Sequence, residues 1–262
     1  MPIPLAMNMT ININVRLVVR ILSCFALGLL FAGVISHSLT YDFNWSPELN
    51  RWFNVNKEKN FPTAFSVGQL LFCSFLLLVI AVYKHTQQDR FMRYWYGLSL
   101  LLSALATDEL LVLHERMSGV IQQILPVGGI FHYAWIIAGM VFLSLVAFVY
   151  WRFLMHLPRV YRRGFVISAM VFVLGAIGME MISGYYMDSY QQWNPNIWLG
   201  LTTVEEGLEM FGVIIFIHTL LNYIQEFVGQ VTFCMAPSTK ESQRKSAIKR
   251  TAMASISKPK MR

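Results

Sequence analysis

Charge is what this sequence has least of. Only 13% of its 262 residues are Asp, Glu, Lys or Arg, against about a quarter in a soluble domain, which argues against a soluble enzyme. Cysteine is almost absent: Cys24, Cys73 and Cys234 stand far apart, so neither a disulfide framework nor a Cys-x-x-Cys metal knuckle can be built. The chain has no Gly-x-Ser-x-Gly elbow, no P-loop and no dinucleotide fingerprint. His114-Glu115 begins an HExxH pattern, but Ser118 occupies its last position. There is no convincing internal repeat. An inverted three-plus-three repeat would put the doublets Asp108-Glu109 and Glu205-Glu206 on opposite membrane faces, whereas the topology below puts them on one.

What the chain has in abundance is apolar sequence. Hydrophobic residues make up 56% and mean hydropathy is +0.50. A membrane span needs roughly 20 apolar residues, and six segments qualify: about 17–38, 64–83, 95–116, 131–151, 164–187 and 201–226. The expected fold class is all-α: a polytopic membrane bundle of six transmembrane helices over 1–236, followed by a basic, disordered cytoplasmic tail over 237–262. The formal net charge of +7 sits entirely in that tail, so it gives no reason to expect nucleic acid as a partner. The tail reads as a solvated positive-inside segment that could also touch anionic lipid headgroups. Seventeen Lys and Arg flank one set of span ends and four the other, so the positive-inside rule places both termini in the cytoplasm of a cell (inner) membrane. Trp45, Trp52, Trp193 and Trp198 then form an outer aromatic belt. Arg16, Arg20, an apolar stretch and Ser36-His37-Ser38 also resemble a cleavable signal peptide, but the stretch is long for one, and it is read as a retained span.

Half of the fourteen acids lie inside these spans: Asp108, Glu109, Glu115, Glu180, Glu205, Glu206 and Glu209. Carboxylates in hydrocarbon are costly and mark functional sites by default. At a rise of about 1.5 Å per residue, Asp108, Glu180 and Glu209 fall roughly 10–12 Å from the outer ends of three different helices. Glu205 and Glu209 share a helix face, as do Asp108 and Glu115, seven apart on the third span. Gly175, Gly178, Gly184, Gly207 and Gly212 would let the helices close up. Carboxylates with one imidazole and no thiolate suit Zn, Mn or Fe, and an all-carboxylate subset suits Mg or Ca. The expected divalent-metal ligands are therefore Asp108, Glu109, His114, Glu180, Glu205, Glu206 and Glu209, with Glu115 as ligand or catalytic base. His132 is a possible extra ligand, and Glu58 and Asn60 a possible lid.

Plainer roles compete. Thr202-x-x-Glu205 and Thr203-x-x-Glu206 match a capping box at a helix start. Glu115-Arg116 can be an interfacial pair, and Asp108 and Glu180 can be hydrogen-bonded neutral acids. His132 fits a belt position, His218 a structural one, and Met179, Met181 and Met210 packing. None of these explains the common depth.

Three strings, Glu58-Lys59-Asn60-Phe61-Pro62-Thr63, Asp108-Glu109 with His114-Glu115, and Glu205-Glu206 with Glu209-Met210, resemble a group of uncharacterised bacterial multi-pass membrane proteins across about residues 53 to 226. The resemblance implies the six-span layout and no activity. Two better-known patterns fail: the His-x3-His pair of ceramidase-like hydrolases is missing, and no Glu-x-x-His occurs as in alternative-oxidase-like di-iron proteins. Three function classes follow: a metal-dependent membrane enzyme acting on a lipid-like or small-molecule substrate; a divalent-cation or proton transporter, for which Ser99, Ser103, Ser144, Ser168, His218 and Asn222 would have to align; and a structural or assembly protein.

Overall fold

A computed structural model describes residues 14–41, 43, 45, 47–55, 57, 59–190 and 194–228. Glu58, Trp193, Cys234 and the 237–262 tail lie outside the described residues. Those described form only helices and their connections: α1 (Val15–Tyr41), α2 (Pro47–Phe53), α3 (Phe61–Thr86), α4 (Met92–Leu111), α5 (Leu113–Ile124), α6 (Trp135–His156), α7 (Arg159–Val173), α8 (Glu180–Tyr190) and α9 (Pro195–Tyr223). A π-turn, Leu174–Met179, joins α7 to α8 without a loop. Five helices or helix runs are long and apolar enough to cross a membrane: Val15–Tyr41, Phe61–Thr86, Trp135–His156, Arg159–Tyr190 and Pro195–Val228. The pair α4 and α5 makes a sixth if counted together, although it bends by 77°.

Helix starts follow local chemistry. Asn60 caps α3, its Oδ1 accepting the Thr63 N–H at 3.1 Å, with Pro62 in the first turn; Asn60 is thus tied into the helix start and is not a lid. Asn194 caps α9 through the N–H groups of Asn196 and Ile197, with Pro195 as the first helical residue. That start lies well before residue 201. Glu205 and Glu206 therefore stand in the third turn, and the capping-box reading for them is incorrect. Thr202 instead donates to the Trp198 and Leu199 carbonyls.

One end of the bundle holds the turns between α3 and α4 and between α6 and α7, and is closed by aromatic rings. Trp95 meets Phe153 at 5.0 Å, Tyr223 at 5.0 Å and Phe165 at 6.0 Å between centroids, and Phe165 meets Phe216 at 4.8 Å. Trp95 and Phe153 are each 1% exposed. Such edge-to-face packing excludes water and adds to the burial of large apolar area. Serines join α3 to α4: the Ser74 hydroxyl donates to the Ser99 carbonyl and the Ser99 hydroxyl to the Ser74 carbonyl, both at 2.8 Å, and Ser74 and Ser103 share a 2.8 Å contact. On the outer faces Phe25, Phe31, Leu71, Phe75, Phe148 and Val160 are exposed, as lipid-facing positions would be.

Helices α7 and α9 approach closely where glycine allows. A Cβ on Gly175 would lie 2.8 Å from Glu209 Cγ and 2.9 Å from the Glu205 carbonyl oxygen. One on Gly212 would lie 2.7 Å from the Phe172 nitrogen. Gly207 faces Leu30 of α1 instead, so it has no part in bringing the acids together. Gly175→Ala should lower stability by about 1–3 kcal/mol through overpacking, whereas Gly28→Ala, with nothing within 4 Å, should not. Thermal unfolding of both variants in nanodiscs checks this, and equal melting temperatures would contradict the close packing.

The Asp89 carboxyl lies in the α3–α4 turn, 2.8 Å from the Phe91 nitrogen and 3.1 Å from Lys84 Nζ. Partial burial pushes its pKa up, but the Phe91 N–H, the Lys84 ammonium and His156 together hold it below the ordinary aspartate range. Its contribution to stability is thus present above that range and lost as pH falls through the folded value. Asp89→Asn should flatten the acid limb of melting temperature against pH; an unaltered limb would show that the turn does not depend on the charge.

Candidate active site

The sequence reads 95–116 as one helix, but the structure breaks it at Val112. This residue has φ 55° and ψ 46°, in the left-handed region, where a β-branched side chain is strained. Asp108 holds the break. Its Oδ1 accepts the His114 N–H at 2.9 Å, and its Oδ2 lies 2.9 Å from His114 Nδ1. The carboxylate thus satisfies an otherwise open amide at the start of α5, where an anion is favoured, and fixes the imidazole with one nitrogen occupied. The break also means that Asp108 and Glu115 do not lie two turns apart on one helix face, as a continuous helix would have placed them.

Glu180 begins α8 immediately after the π-turn. Such insertions re-aim side chains and recur at functional sites. The Trp135 indole Nε1–H donates to Glu180 Oε2 at 2.5 Å, and the Trp135 ring lies 5.1 Å from that of His114. Asp108, His114, Trp135 and Glu180 therefore form one connected group drawn from four helices. Glu205 lies within electrostatic reach of Glu180, His114 and Glu109, and Glu209 within reach of Glu206, Glu109, Glu205 and Glu180.

These groups open onto one cavity of about 750 Å³, within the usual range for small-molecule sites. Asp108, Glu109, His114, Glu115, Glu180, Glu205, Glu206 and Glu209 all line it. Below them its wall is apolar, including Leu98, Leu101, Leu105, Leu143, Val146 and Val213, down to Phe165 and Phe216 beside the Trp95 cluster. The cavity is therefore amphipathic along its length, with acid at one end and hydrocarbon at the other. At the acidic end Tyr133, half-buried between α5 and α6, lines the cavity within electrostatic reach of Glu180, Glu205 and Glu115.

The metal-site expectation finds no matching grouping. Among the described residues no three His, Cys, Asp or Glu side chains stand close enough to hold one ion. The acids ring a wide chamber instead of converging on a point, and Asp108–His114 and Glu180–Trp135 engage each other. His132 is also committed elsewhere: its Nδ1 lies 2.8 Å from Asp188 Oδ1, while Asp188 Oδ2 accepts the Gly129 N–H and Gln122 donates to the His132 carbonyl. His218 bonds Asn222 one turn on, as a structural residue would.

Sequence reasoning missed Tyr133, Trp135, Ser183 and Trp198, all of which line the cavity. A Trp near a span end ordinarily signals the interfacial belt. The usable clue was that Trp135 follows His132 at the start of a span and the His114-Glu115 pair precedes it.

Fold and site together define an all-helical protein, with five or six helices able to cross a membrane, built around an acid-headed internal cavity. The chain belongs to a family described as a domain of unknown function (DUF8692), whose model matches residues 21–224. No curated protein and no solved structure matches it.

The Asp108 clasp has a direct test. Asp108→Ala should cost about 1–3 kcal/mol, the range for losing a charged hydrogen-bond partner, and should speed amide exchange at the start of α5. Hydrogen-exchange mass spectrometry over 113–124 reads this out; unchanged protection would mean that α5 is held by other contacts.

Proposed function

We propose that the chain is a multi-pass inner-membrane enzyme, with both termini cytoplasmic, that draws a lipid-like molecule into this cavity and carries out acid–base chemistry on its head group. The supporting observation is the cavity's polarity gradient: all eight singled-out residues at one end, and aliphatic and aromatic side chains at the other. An amphiphile fits that gradient, whereas a bare ion has no use for the apolar half. His114 would act as general base or acid. Asp108 fixes one ring nitrogen, leaving the other to exchange a proton with the substrate, the logic of an oriented imidazole. Glu180, held by Trp135, is the second proton-transfer group, and Glu115 at the mouth a third candidate.

A transport route is less well supported. The polar residues it would need are spent locally: Ser99 and Ser103 join α3 to α4, Ser144 donates to Met140, and His218 pairs with Asn222. The aromatic cluster closes the far end. A metal-dependent reading, with Zn, Mn or Fe, or Mg or Ca, held among Asp108, Glu109, His114, Glu180, Glu205, Glu206 and Glu209, would require these side chains to swing inward from their present partners.

Mass spectrometry of molecules retained by the purified protein tests the proposal. Wild type should hold a single-chain amphiphile, and His114→Ala should accumulate a head-group precursor of different mass. Identical species in both would leave a binding protein and remove the chemistry. Absence of any bound amphiphile in both would remove the reading. Elemental analysis beside it should find no stoichiometric metal; metal bound by wild type and lost in Glu209→Gln would favour the metal-dependent reading instead.

A further inference from the structure

From the composition of the acidic end we infer that the cavity selects an amphiphile with an ammonium head group, a long-chain amine or quaternary alkylammonium. This rests on the reading of the cavity as a lipid-like site and adds the sign of the head-group charge. Four observations carry it.

The first is charge. The cavity is lined by seven carboxyl side chains, and the two histidines among its lining residues are already paired, His114 to Asp108 and His132 to Asp188. Crowded carboxyl groups such as Glu180, Glu205 and Glu209 are stabilised by a nearby cation, which neither an anionic nor a neutral head supplies. The second is the aromatic lining at the same level. Trp135, Tyr133 and Trp198 stand among these acids, and indole and phenol rings attract cations, most strongly where water is excluded. Carboxylates mixed with ring faces suit an ammonium, which is bulky, weakly directional and often carries methyl groups. A small hard metal ion would need several oxygens converging within a coordination distance, and the described residues offer no such grouping.

The third is an orphaned hydroxyl. Ser183, one turn past Glu180 on α8, is 2% exposed and lines the cavity, and its Oγ has no hydrogen-bond partner. Buried polar atoms are nearly always partnered, so this one points to a donor or acceptor supplied by whatever fills the chamber, such as an amine N–H or a hydroxyl next to it. The fourth is size. The apolar section runs along α4 from Asp108 to Leu98, ten residues or roughly 15 Å, and ends at the rings of Phe165 and Phe216. That length and a total of about 750 Å³ give room for one extended alkyl chain.

Binding of three probes with the same single alkyl chain, a primary amine, a monoacylglycerol and a fatty acid, to the full chain in nanodiscs tests the inference by native mass spectrometry. The amine should bind at least about tenfold more tightly than the other two. Glu180→Gln combined with Glu205→Gln should abolish that preference while leaving monoacylglycerol binding intact, and Trp135→Leu should reduce the preference in a protein that keeps every carboxylate. Equal binding of all three probes, or a preference for the acid, overturns the head-group assignment and leaves the lipid-like cavity standing. Failure of all three to bind above the level seen with empty nanodiscs overturns both. Melting temperatures of the variants within a few degrees of wild type establish that any loss is local.

Discussion

A carboxylate cannot stand alone in hydrocarbon, and the architecture of this protein answers that constraint. Four of the acids sit on helix runs able to cross a membrane and three on the bent α4–α5 pair, and all seven line the same cavity. The irregular features of the fold serve this arrangement. The left-handed Val112 bends α5 away from α4 so that His114 meets Asp108. The π-turn at Leu174–Met179 delivers Glu180 to Trp135. Gly175 lets the backbone of that turn come against Glu205 and Glu209. Each feature costs something locally, in strain or lost side-chain packing, and each lies next to an acid.

Much of the fold was legible in the sequence because hydropathy is a strong signal over twenty residues. The apolar runs correspond to α1, α3, α6, the α7–α8 run and α9, and the acids stood out against them. The breaks were not legible. Val112 lies in Leu-Leu-Val-Leu with neither Gly nor Pro, and what bends the chain there is a side-chain clasp across six residues, Asp108 to the His114 amide, which helix propensity does not reveal. The start of α9 was misread for a different reason. The Asn194-Pro195 start signal was present, but the acids at Glu205 and Glu206 depressed the hydropathy and drew the boundary inward. That error made a capping role for Glu205 look natural, when the helix is already three turns old at that point.

At the site, residue choice was legible and geometry was not. Rarity of charge in apolar sequence pointed to the eight residues that line the cavity. Whether they would close on one ion or ring an open space depends on the distance between helices, and that distance is set by Gly175, by the α5 bend and by Trp135 filling the space beside His114. The outcome is a wide acidic chamber continuous with an apolar tube, closed by Trp95, Phe153 and Phe165. A tube closed at one end suits retention of a molecule more than passage of one. The serines that might have continued a polar path are consumed in joining α3 to α4.

The claim on which the account turns is that acid ring and apolar tube are one continuous chamber occupied by one amphiphile. An experimental density map of the protein in native-lipid nanodiscs measures this most directly. The account predicts elongated density running from Glu180, Glu205 and Trp135 down between α4, α6 and α7 to the rings of Phe165 and Phe216. A chamber collapsed so that α6 packs directly on α4 and α7, or a file of water passing beyond Trp95 to the opposite end, would contradict it.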